Sequence, residues 1–157
     1  MNGVRVRDYT EADAAPTLKV FRDAVMVTGA QRYTADQVAA WAGPPEDNLP
    51  AWHAARSAPA TIVAVIDDTV VGFSDLDEQG YIDMLFVSPE FARRGVASRL
   101  LDEIETRGRT AGLDALTVSA SLLLRPLLER RGFVVEKQLA PEVNSVMLVS
   151  FAMRKGL

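Results

Sequence analysis

Residues 81–98, YIDMLFVSPEFARRGVAS, decide the fold of this chain. Apolar residues dominate 81–87 and predict a buried strand, Pro89 predicts a turn, and the basic, glycine-containing segment after it predicts the start of a long helix. This order brings the unpaired N–H groups of a helix N-terminus, the helix dipole and two arginines, Arg93 and Arg94, to one point. The stretch therefore predicts a turn that can hold a phosphate group.

The composition indicates one domain, spanning residues 1–157, with a single hydrophobic core. The chain has 157 residues, of which 48% are hydrophobic, and this is the size and apolar content of one typical domain. A formal net charge of −4 argues against nucleic acid as a partner, because binding a phosphate backbone needs an extended basic surface. The chain has no cysteine, which excludes disulfides and thiolate metal sites.

Location and metal binding can be addressed from the same sequence. No apolar stretch is long enough to cross a bilayer, and residues 1–8 lack the apolar run of a signal peptide. We therefore expect a cytoplasmic protein that does not bind membranes. The single histidine, His53, has no second histidine or cysteine to join it, so we expect no metal site and a surface or helix-cap position for His53.

Hydrophobic periodicity predicts alternating strands and helices without a dividing linker. Two capping boxes, at 10–13 and 34–37, mark helix starts, and Gly43, Pro44 and Pro45 form a breaker. The predicted strands are 4–8, 61–66, 70–76, 81–87, 113–118, 133–138 and 146–153. The predicted helices are 10–29, 34–42, 49–55, a long helix from near Arg94 to Gly112, and 122–131.

These elements and three motifs resemble the GNAT superfamily of acyl-CoA-dependent N-acetyltransferases over nearly the whole chain. The motifs are LFVSP at 85–89, RRGVA at 93–97 and ERRGF at 129–133. The resemblance implies an α+β fold in α/β/α layers, with a mixed, mostly antiparallel, twisted sheet of about six to seven strands and about four flanking helices. In this family the sheet is splayed between its fourth and fifth strands. Segments 30–34 and 37–42 further resemble a bacterial subgroup of small acetyltransferases.

The resemblance implies that the chain binds acetyl-CoA and transfers its acetyl group directly to a primary amine of a small molecule or peptide. Where the family commonly has glutamine or arginine three residues before the glycine of the turn, this chain has Ala92. The backbone of the turn would hold the pyrophosphate at Arg93, Arg94, Gly95, Val96, Ala97 and Ser98. The exposed backbone of the fourth strand would pair with the pantetheine arm at Leu85, Phe86 and Val87.

Asp83 is the residue that we expect to accept the proton that an attacking amine must lose. It lies two residues before Leu85 and therefore on the same face of the predicted strand, near the end of the thioester that the resemblance implies. An aspartate that is capped or ion-paired for structural reasons would fit the same position. Asp75 is a candidate contact of a cationic acceptor, and the acids at 75–78 also suit a solvated hairpin end.

The general acid for the departing thiolate is left open by the resemblance. Many members of the family have a tyrosine four residues before the glycine of the final Gly-Phe, and this chain has Leu128 there. Tyr81, Tyr33 and Ser121 are candidate substitutes, and water or the attacking ammonium are alternatives. In the family, the N-terminal helices cover the acceptor pocket, so Tyr33 and Trp41 are candidate substrate contacts, with core packing as the alternative.

Two classes of function remain open from the sequence. The motifs favour an N-acetyltransferase, whereas Leu128 favours an acyl-CoA-binding sensor or regulatory module with little catalytic activity. A structural protein without a ligand is disfavoured, because Arg93 and Arg94 would then have no need to crowd a helix N-terminus. The acceptor is not identified, and the apolar segment 146–153 suits either a homodimer contact or an internal strand.

Overall fold

The structure, a computed structural model, describes residues 3–43 and 48–157. Two residues of the predicted breaker, Pro44 and Pro45, lie outside the described residues. The third, Gly43, has a φ of 78° and caps the C-terminus of the second helix. Within the described ranges, none of the helices is long and apolar enough to span a bilayer.

The described residues form ten strands and five α-helices, joined by loops and short 3₁₀ and π segments. The strands are β1 Arg5–Asp8, β2 Ala60–Ile66, β3 Thr69–Leu76, β4 Tyr81–Ile82, β5 Leu85–Val87, β6 Ala115–Ser121, β7 Val134–Leu139, β8 Glu142–Val143, β9 Val146–Met147 and β10 Ser150–Gly156. The helices are α1 Ala14–Asp23, α2 Ala35–Ala42, α3 Leu49–Ser57, α4 Val96–Thr110 and α5 Arg125–Arg130.

The strands form two four-stranded half-sheets and a separate hairpin. The first half-sheet has the order β1-β2-β3-β5 and is antiparallel throughout. The second has the order β4-β6-β10-β7, in which only the β4–β6 pair is parallel. Strands β8 and β9 pair with each other. The predicted α+β fold with a mixed, mostly antiparallel sheet is confirmed.

The predicted single strand at 81–87 is wrong, because it is broken at Asp83 and Met84. Before the break, β4 pairs with β6 of the second half-sheet, and after it, β5 pairs with β3 of the first. The two half-sheets therefore share this segment of chain but separate beyond the break. The predicted fourth strand thus corresponds to β4 and β5, and the predicted fifth strand to β6. The separation between β5 and β6 is the splay that the resemblance implied.

The first predicted helix also differs from the prediction. Both capping boxes are present, but α1 ends at Asp23 instead of near Gly29 and continues as a π segment, Ala24–Thr28, and a 3₁₀ turn, Gly29–Gln31. Three of the five residues in the π segment are β-branched, which lowers their preference for the α-helix. The late helix is shorter than predicted as well, since α5 begins only at Arg125.

The predicted strand at 146–153 is wrong in its boundaries. The chain forms β9 of the separate hairpin, has no strand at Leu148 and Val149, and then enters the second half-sheet as β10. Asn144 and Ser145 have positive φ values of 47° and 68° and turn the chain between β8 and β9. Strand β10 lies inside the second half-sheet, between β6 and β7, so it does not offer a free edge to a second copy of the chain.

Helix α4 packs against the sheet through the apolar face that its periodicity predicts. Val96, Leu100 and Ile104 are buried in a core shared with β2, β3, β6 and β10. A second core on the opposite face of the first half-sheet joins α1 and α2 to β2 and β3, with Val25 and Phe73 fully buried. The sheet thus lies between two helical layers, and the N-terminus of α4 is fixed at the point where the half-sheets separate.

Glu105 is a buried carboxylate that ties α4 to two later elements of the chain. It accepts a hydrogen bond of 2.6 Å from Nη2 of Arg131, in the turn after α5, and another from Nζ of Lys155 on β10. Burial opposes the ionisation of Glu105, but these hydrogen bonds outweigh it and hold the pKa of its carboxyl below the ordinary value. The network therefore holds α4 against the second half-sheet.

We predict that Glu105→Gln lowers the free energy of unfolding by about 2–3 kcal/mol at pH 7, because Arg131 and Lys155 lose their buried anion. Since the folded-state pKa of Glu105 lies below its ordinary value of 4.5, this stabilisation is present above pH 4.5 and is lost as the pH falls through the folded-state pKa. Urea unfolding across this range measures both effects.

Glu103→Gln is the matched control on the same helix. Glu103 bonds to Nε of Arg107 at 3.1 Å, with both side chains partly exposed, so we expect a loss below about 1 kcal/mol. If the two variants lose the same free energy of unfolding, the burial of Glu105 does not strengthen its ion pairs.

Candidate active site

A turn with two residues of positive φ joins β5 to α4. Arg93 has a φ of 63°, and Gly95, the N-cap of α4, has a φ of 77° and a ψ of 14°. A Cβ at Gly95 would meet no atom within 4 Å, so glycine is favoured here by the backbone conformation and not by lack of space. No side chain of the described residues caps this helix, and its first N–H groups lack partners within the helix.

Gly72 on β3 lets α4 and β5 approach the sheet closely. A Cβ at this position would lie 2.9 Å from Cγ1 of Val96 and 3.0 Å from the backbone oxygen of Phe86. Both distances are shorter than ordinary van der Waals contact, so a larger residue would push the start of α4 away from β5. The sequence gives no local sign of this role, because it depends on packing between distant elements.

The first cleft lies between the edge of β5, the turn and the region around α5, and has a volume of about 410 Å³. Strand β5 pairs with β3 on one side, and within the described part of the chain its other edge is unpaired. Eight of the nine residues predicted to bind the cofactor line this cleft: Leu85, Phe86, Val87, Arg93, Gly95, Val96, Ala97 and Ser98. The ninth, Arg94, instead places its guanidinium 5.4 Å from the ring centroid of Phe91.

Residues from two other elements complete the first cleft and were not predicted. Ala24 and Thr28 come from the π segment, and Leu124, Leu127 and Arg130 come from α5 or its start. Their signal in the sequence is weak, because α5 is short and its apolar residues divide between the cleft and the core. Leu128, at the position of the family's tyrosine, is fully buried in the core.

The second cleft lies on the other side of the strand break and has a volume of about 390 Å³. The predicted residues that line it are Tyr33, Trp41, Tyr81, Asp83 and Ser121. The residues that sequence analysis did not assign to an acceptor site are Phe21, Met84, Phe86, Ser119, Pro141, Val143, Leu148, Val149 and Ser150. Four of these nine residues, Pro141, Val143, Leu148 and Val149, come from the chain between β7 and β10, whose path the sequence did not predict.

The two clefts meet at three residues. Trp41, Phe86 and Ser121 line both of them, so the two clefts adjoin at these residues, and we call this point the junction. Ser121 is the last residue of β6, and its Oγ accepts a hydrogen bond of 3.1 Å from the backbone N–H of Leu124. The hydroxyl is thereby held at the junction while its own proton can still be donated.

Part of the second cleft is covered by the β8–β9 hairpin, which is attached to α2. Nε2 of Gln37 donates to the backbone oxygen of Met147 at 3.1 Å, and Nδ2 of Asn144 donates to the backbone oxygen of Ala40 at 2.7 Å. These two bonds link the tip and the last strand of the hairpin to the helix that carries Trp41. We call α2 and this hairpin the roof of the second cleft.

Asp75 lies beneath the strand break instead of at a solvated hairpin end. Its side chain is buried, and the residue is only 1% exposed. Oδ1 accepts hydrogen bonds from the backbone N–H groups of Asp83 at 2.8 Å and Met84 at 3.2 Å. The expected contact between Asp75 and a substrate is not seen in the geometry, because Asp75 lines neither cleft. It instead positions the backbone from which Asp83 projects.

The environment of Asp75 disfavours its charge. Burial, with a smaller contribution from the nearby carboxylate of Asp83, raises the pKa of Asp75 to about 6, although the two backbone N–H groups and Arg56 act in the opposite direction. Oδ2 of Asp75, and Nε and Nη1 of Arg56, are buried without a hydrogen-bond partner in the described residues. Burial lowers the pKa of the Arg56 guanidinium, which lies 4.5 Å from the ring centroid of Trp52.

The hydroxyl of Tyr33 is used for structure. It donates to the backbone oxygen of Val149 at 2.7 Å and accepts from the backbone N–H of Leu122 at 2.9 Å. Burial raises the pKa of Tyr33 above its ordinary value. Because its proton is committed to Val149, Tyr33 is a poor candidate for the general acid. Its ring still forms part of the wall of the second cleft.

His53 is half-buried on α3, where its Nδ1 lies 2.9 Å from the hydroxyl of Tyr9. The described residues contain no group of three or more histidine, cysteine, aspartate or glutamate side chains that could hold a metal ion.

With this geometry established, comparison with known proteins identifies the family. Residues 30–156 match the family model of the acetyltransferase (GNAT) domain. The chain belongs to the GNAT acetyltransferases. It is therefore an acyltransferase of the acetyl-CoA-dependent type, and the resemblance drawn from its motifs is confirmed.

Individual relatives agree with this assignment. The chain is 37% identical over 154 residues to the uncharacterized N-acetyltransferase YafP of Escherichia coli strain K12, an alignment that covers 98% of this chain and 97% of YafP. It matches a GCN5-related N-acetyltransferase structure from Rhodopseudomonas palustris with a TM-score of 0.94 and 30% identity, covering 100% and 98% of the two chains. PaiA N-acetyltransferase from Thermoplasma acidophilum, solved with coenzyme A, shares the fold with a TM-score of 0.75, 18% identity and 99% coverage of each chain.

We predict that Asp75→Asn gains stability relative to the wild-type acetyltransferase as the pH rises from about 4 to about 7, by up to ~3 kcal/mol. The folded-state pKa of Asp75 is raised from 3.8 to about 6, so the wild type loses stability over this interval as a buried carboxyl ionises. Asparagine keeps an acceptor for the two backbone N–H groups and carries no charge. Urea unfolding at several pH values measures the difference.

Asp77→Asn is the matched control for this measurement. Oδ1 of Asp77 also accepts two backbone N–H groups, from Gln79 at 2.9 Å and Tyr81 at 2.8 Å, but Asp77 is only partly buried. The difference in free energy of unfolding between Asp75→Asn and the wild type should depend on pH. If it does not, ionisation of a buried Asp75 is not its source.

Proposed function

We propose that this acetyltransferase transfers an acetyl group from acetyl-CoA in the first cleft directly to a primary amine of a small molecule or peptide in the second. The observation that carries the proposal is the junction of the two clefts at Trp41, Phe86 and Ser121. Direct transfer needs the donor and the acceptor to be held together in one geometry. Two clefts that share these three lining residues beside an exposed strand edge would hold a donor and an acceptor next to each other.

The residues of the first cleft fit coenzyme A. The uncapped N-terminus of α4 at Gly95 offers N–H groups and the positive end of a helix dipole to a pyrophosphate. The free edge of β5 offers backbone partners to the amides of a pantetheine arm. Leu124 and Leu127 add apolar surface along the cleft. When bound, acetyl-CoA supplies the acetyl group as an activated thioester, and PaiA of Thermoplasma acidophilum, which shares the fold, was solved with coenzyme A.

Asp83 is the residue to which we assign the role of general base. It is exposed, it lines the second cleft and not the first, and its backbone is held by Asp75. Ile82, the residue between Tyr81 and Asp83, is buried in the core, so the tyrosine and the aspartate both project toward the acceptor side. Asp83 would bind an acceptor ammonium and accept its proton, which leaves a neutral amine that can attack the thioester.

Ser121 is the residue we assign to relay a proton to the departing thiolate, since its hydroxyl would donate its own proton to the sulfur while it takes up the proton that the attacking amine nitrogen must lose. It lies at the junction, and the hydrogen bond from Leu124 N–H to its Oγ leaves the hydroxyl proton available. Tyr81 lines only the second cleft, where its hydroxyl can help to move a proton away from the amine. Leu128 is fully buried and aliphatic, so it cannot take the role of the family's tyrosine.

Leu128 also favours a second candidate, an acyl-CoA-binding sensor with little activity. The two candidates share the first cleft and differ in what happens at the junction. Calorimetric titration with acetyl-CoA and a thiol-release assay over a panel of amines distinguish them. Binding with thiol release supports the acetyltransferase activity, whereas binding without release for every amine supports the sensor. No binding would overturn both.

We predict that Ala97→Glu weakens acetyl-CoA binding at least about tenfold, because a carboxylate in the first turn of α4 competes for its N–H groups and repels a pyrophosphate. Calorimetry measures the dissociation constant. Thr106→Glu adds the same charge to the exposed side of the same helix, away from the cleft, and should leave binding unchanged. Equal affinities in the two variants would place the pyrophosphate elsewhere.

We predict that Asp83→Asn lowers kcat by about 100-fold, which is the size of effect expected from loss of a general base. Acetyl-CoA affinity should not change, because Asp83 lines only the second cleft. Steady-state thiol release and calorimetry measure the two quantities. Asp77→Asn, a nearby aspartate outside both clefts, should alter neither. Full activity in Asp83→Asn would remove Asp83 from the mechanism.

A further inference from the structure

The second cleft combines aromatic walls with a single charge. Among the described residues that line it, Asp83 is the only one with an acidic or basic side chain of the Asp, Glu, Lys, Arg or His type. The other lining side chains are aromatic, aliphatic or hydroxyl-bearing. We infer that the acceptor is a small amine with one positive charge and an aromatic ring. This inference rests on the proposed function and specifies the substrate class of the same site.

The aromatic walls form one connected cluster. The ring centroids of Tyr33 and Trp41 lie 5.5 Å apart with an interplanar angle of 68°, and those of Trp41 and Phe86 lie 5.9 Å apart at 55°. Phe21 meets Phe86 edge to face at 5.0 Å and 85°. A ring entering the cleft extends this cluster, since aromatic pairs at such spacings gain energy beyond their buried area.

The cluster is held in place before any acceptor binds. The hydroxyl of Tyr33 is fixed between Val149 and Leu122. A Cβ at Gly29 would lie 3.4 Å from Cζ3 of Trp41, so the indole packs directly on the backbone of the 3₁₀ turn. Rigid walls reduce the ordering that binding would otherwise require. The cleft is therefore shaped for a flat apolar group.

The single carboxylate limits the charge of the acceptor. A monoamine brings one ammonium to Asp83, whereas a polyamine or a basic peptide brings further cations to walls that offer them no anion. An acceptor with its own carboxylate or phosphate near the amine would meet Asp83 without a compensating cation. Uncompensated charges next to apolar walls are costly. A volume of about 390 Å³ is also in the range of small-ligand pockets.

Ser150 marks the end of the cleft to which the amine belongs. Its Oγ is buried and has no hydrogen-bond partner among the described residues, although Ser150 lines the cleft. In the sheet, Ser150 is the register partner of Ser121, which lies at the junction with the first cleft. Cross-strand partners project from the same face of a sheet, so Ser121 and Ser150 mark the polar end of the cleft near the junction, and the aromatic ring of the acceptor would lie among Tyr33, Trp41 and Phe21.

The test compares 2-phenylethylamine with three other amines: 2-cyclohexylethylamine, spermidine and a peptide with a free N-terminal alanine. Calorimetry without acetyl-CoA measures binding of each, and thiol release at saturating acetyl-CoA measures kcat/KM. We expect kcat/KM for 2-phenylethylamine to exceed that for spermidine and for the peptide by about 100-fold or more. The excess over 2-cyclohexylethylamine should be at least about threefold. Binding should follow the same order.

The outcomes separate this inference from the proposed function. If spermidine or the peptide is the preferred acceptor, the inference is overturned and the proposed function stands. If 2-phenylethylamine binds selectively but no amine is acetylated, the proposed function fails, and the inference that the second cleft binds an aromatic monoamine stands. If no amine binds and none is acetylated, both are overturned.

A pair of variants on the hairpin tests the role of charge. Val143 lines the second cleft, whereas Met147 on the adjoining strand is 61% exposed and does not. Val143→Asp adds a second carboxylate to the cleft and should lower kcat/KM for 2-phenylethylamine by about tenfold while reducing its advantage over spermidine. Met147→Asp should change neither by more than about twofold. Unchanged acetyl-CoA binding establishes that both variants are folded, and equal effects in the two would overturn the inference.

Discussion

The carboxylate of Asp75 fixes the point at which the sheet divides. By accepting the N–H groups of two consecutive residues, Asp83 and Met84, one oxygen satisfies backbone groups that would otherwise be unpaired where the strand is interrupted. The hydroxyl of Ser74 supports the same point by donating to the backbone oxygen of Met84 at 2.7 Å. Because the break is satisfied internally, β4 can pair with one half-sheet and β5 with the other. Both clefts exist because of that division.

Two buried carboxyl groups make opposite contributions to the stability of the fold. Asp75 holds the break while its own charge is disfavoured by burial. Glu105 contributes in the opposite sense, since its charge is favoured by Arg131 and Lys155 and holds α4 to the second half-sheet. Asp75 lies beside the candidate active site, whereas Glu105 lies away from it. Unfavourable local interactions are expected at functional sites, where they are offset by favourable interactions elsewhere in the fold.

Features that depend on neighbouring residues were predictable from the sequence, and features that depend on distant contacts were not. The capping box at Thr34 and the glycine turn at Gly95 are local, and both were predicted. The strand break was missed because residues 81–87 are mostly apolar, and the acid that stabilises it, Asp75, lies on a different strand. Residues 85–98, which run from β5 to the start of α4, are local in the same sense and supply eleven of the nineteen residues that line the first cleft. Ser150 entered the second cleft through sheet pairing that no local pattern indicates.

The roof of the second cleft has a consequence for how such an enzyme can change. Its hairpin pairs only with itself within the described chain and is attached to α2 by two side-chain bonds, from Gln37 and Asn144. Neither bond involves the strand break, the α4 turn or the Glu105 network. Substitutions at the exposed positions of the hairpin can therefore accumulate without disturbing the first cleft, although Val143 also packs against the second core. Under the proposed function, acceptor preference could then diverge among related chains while their donor chemistry stays the same.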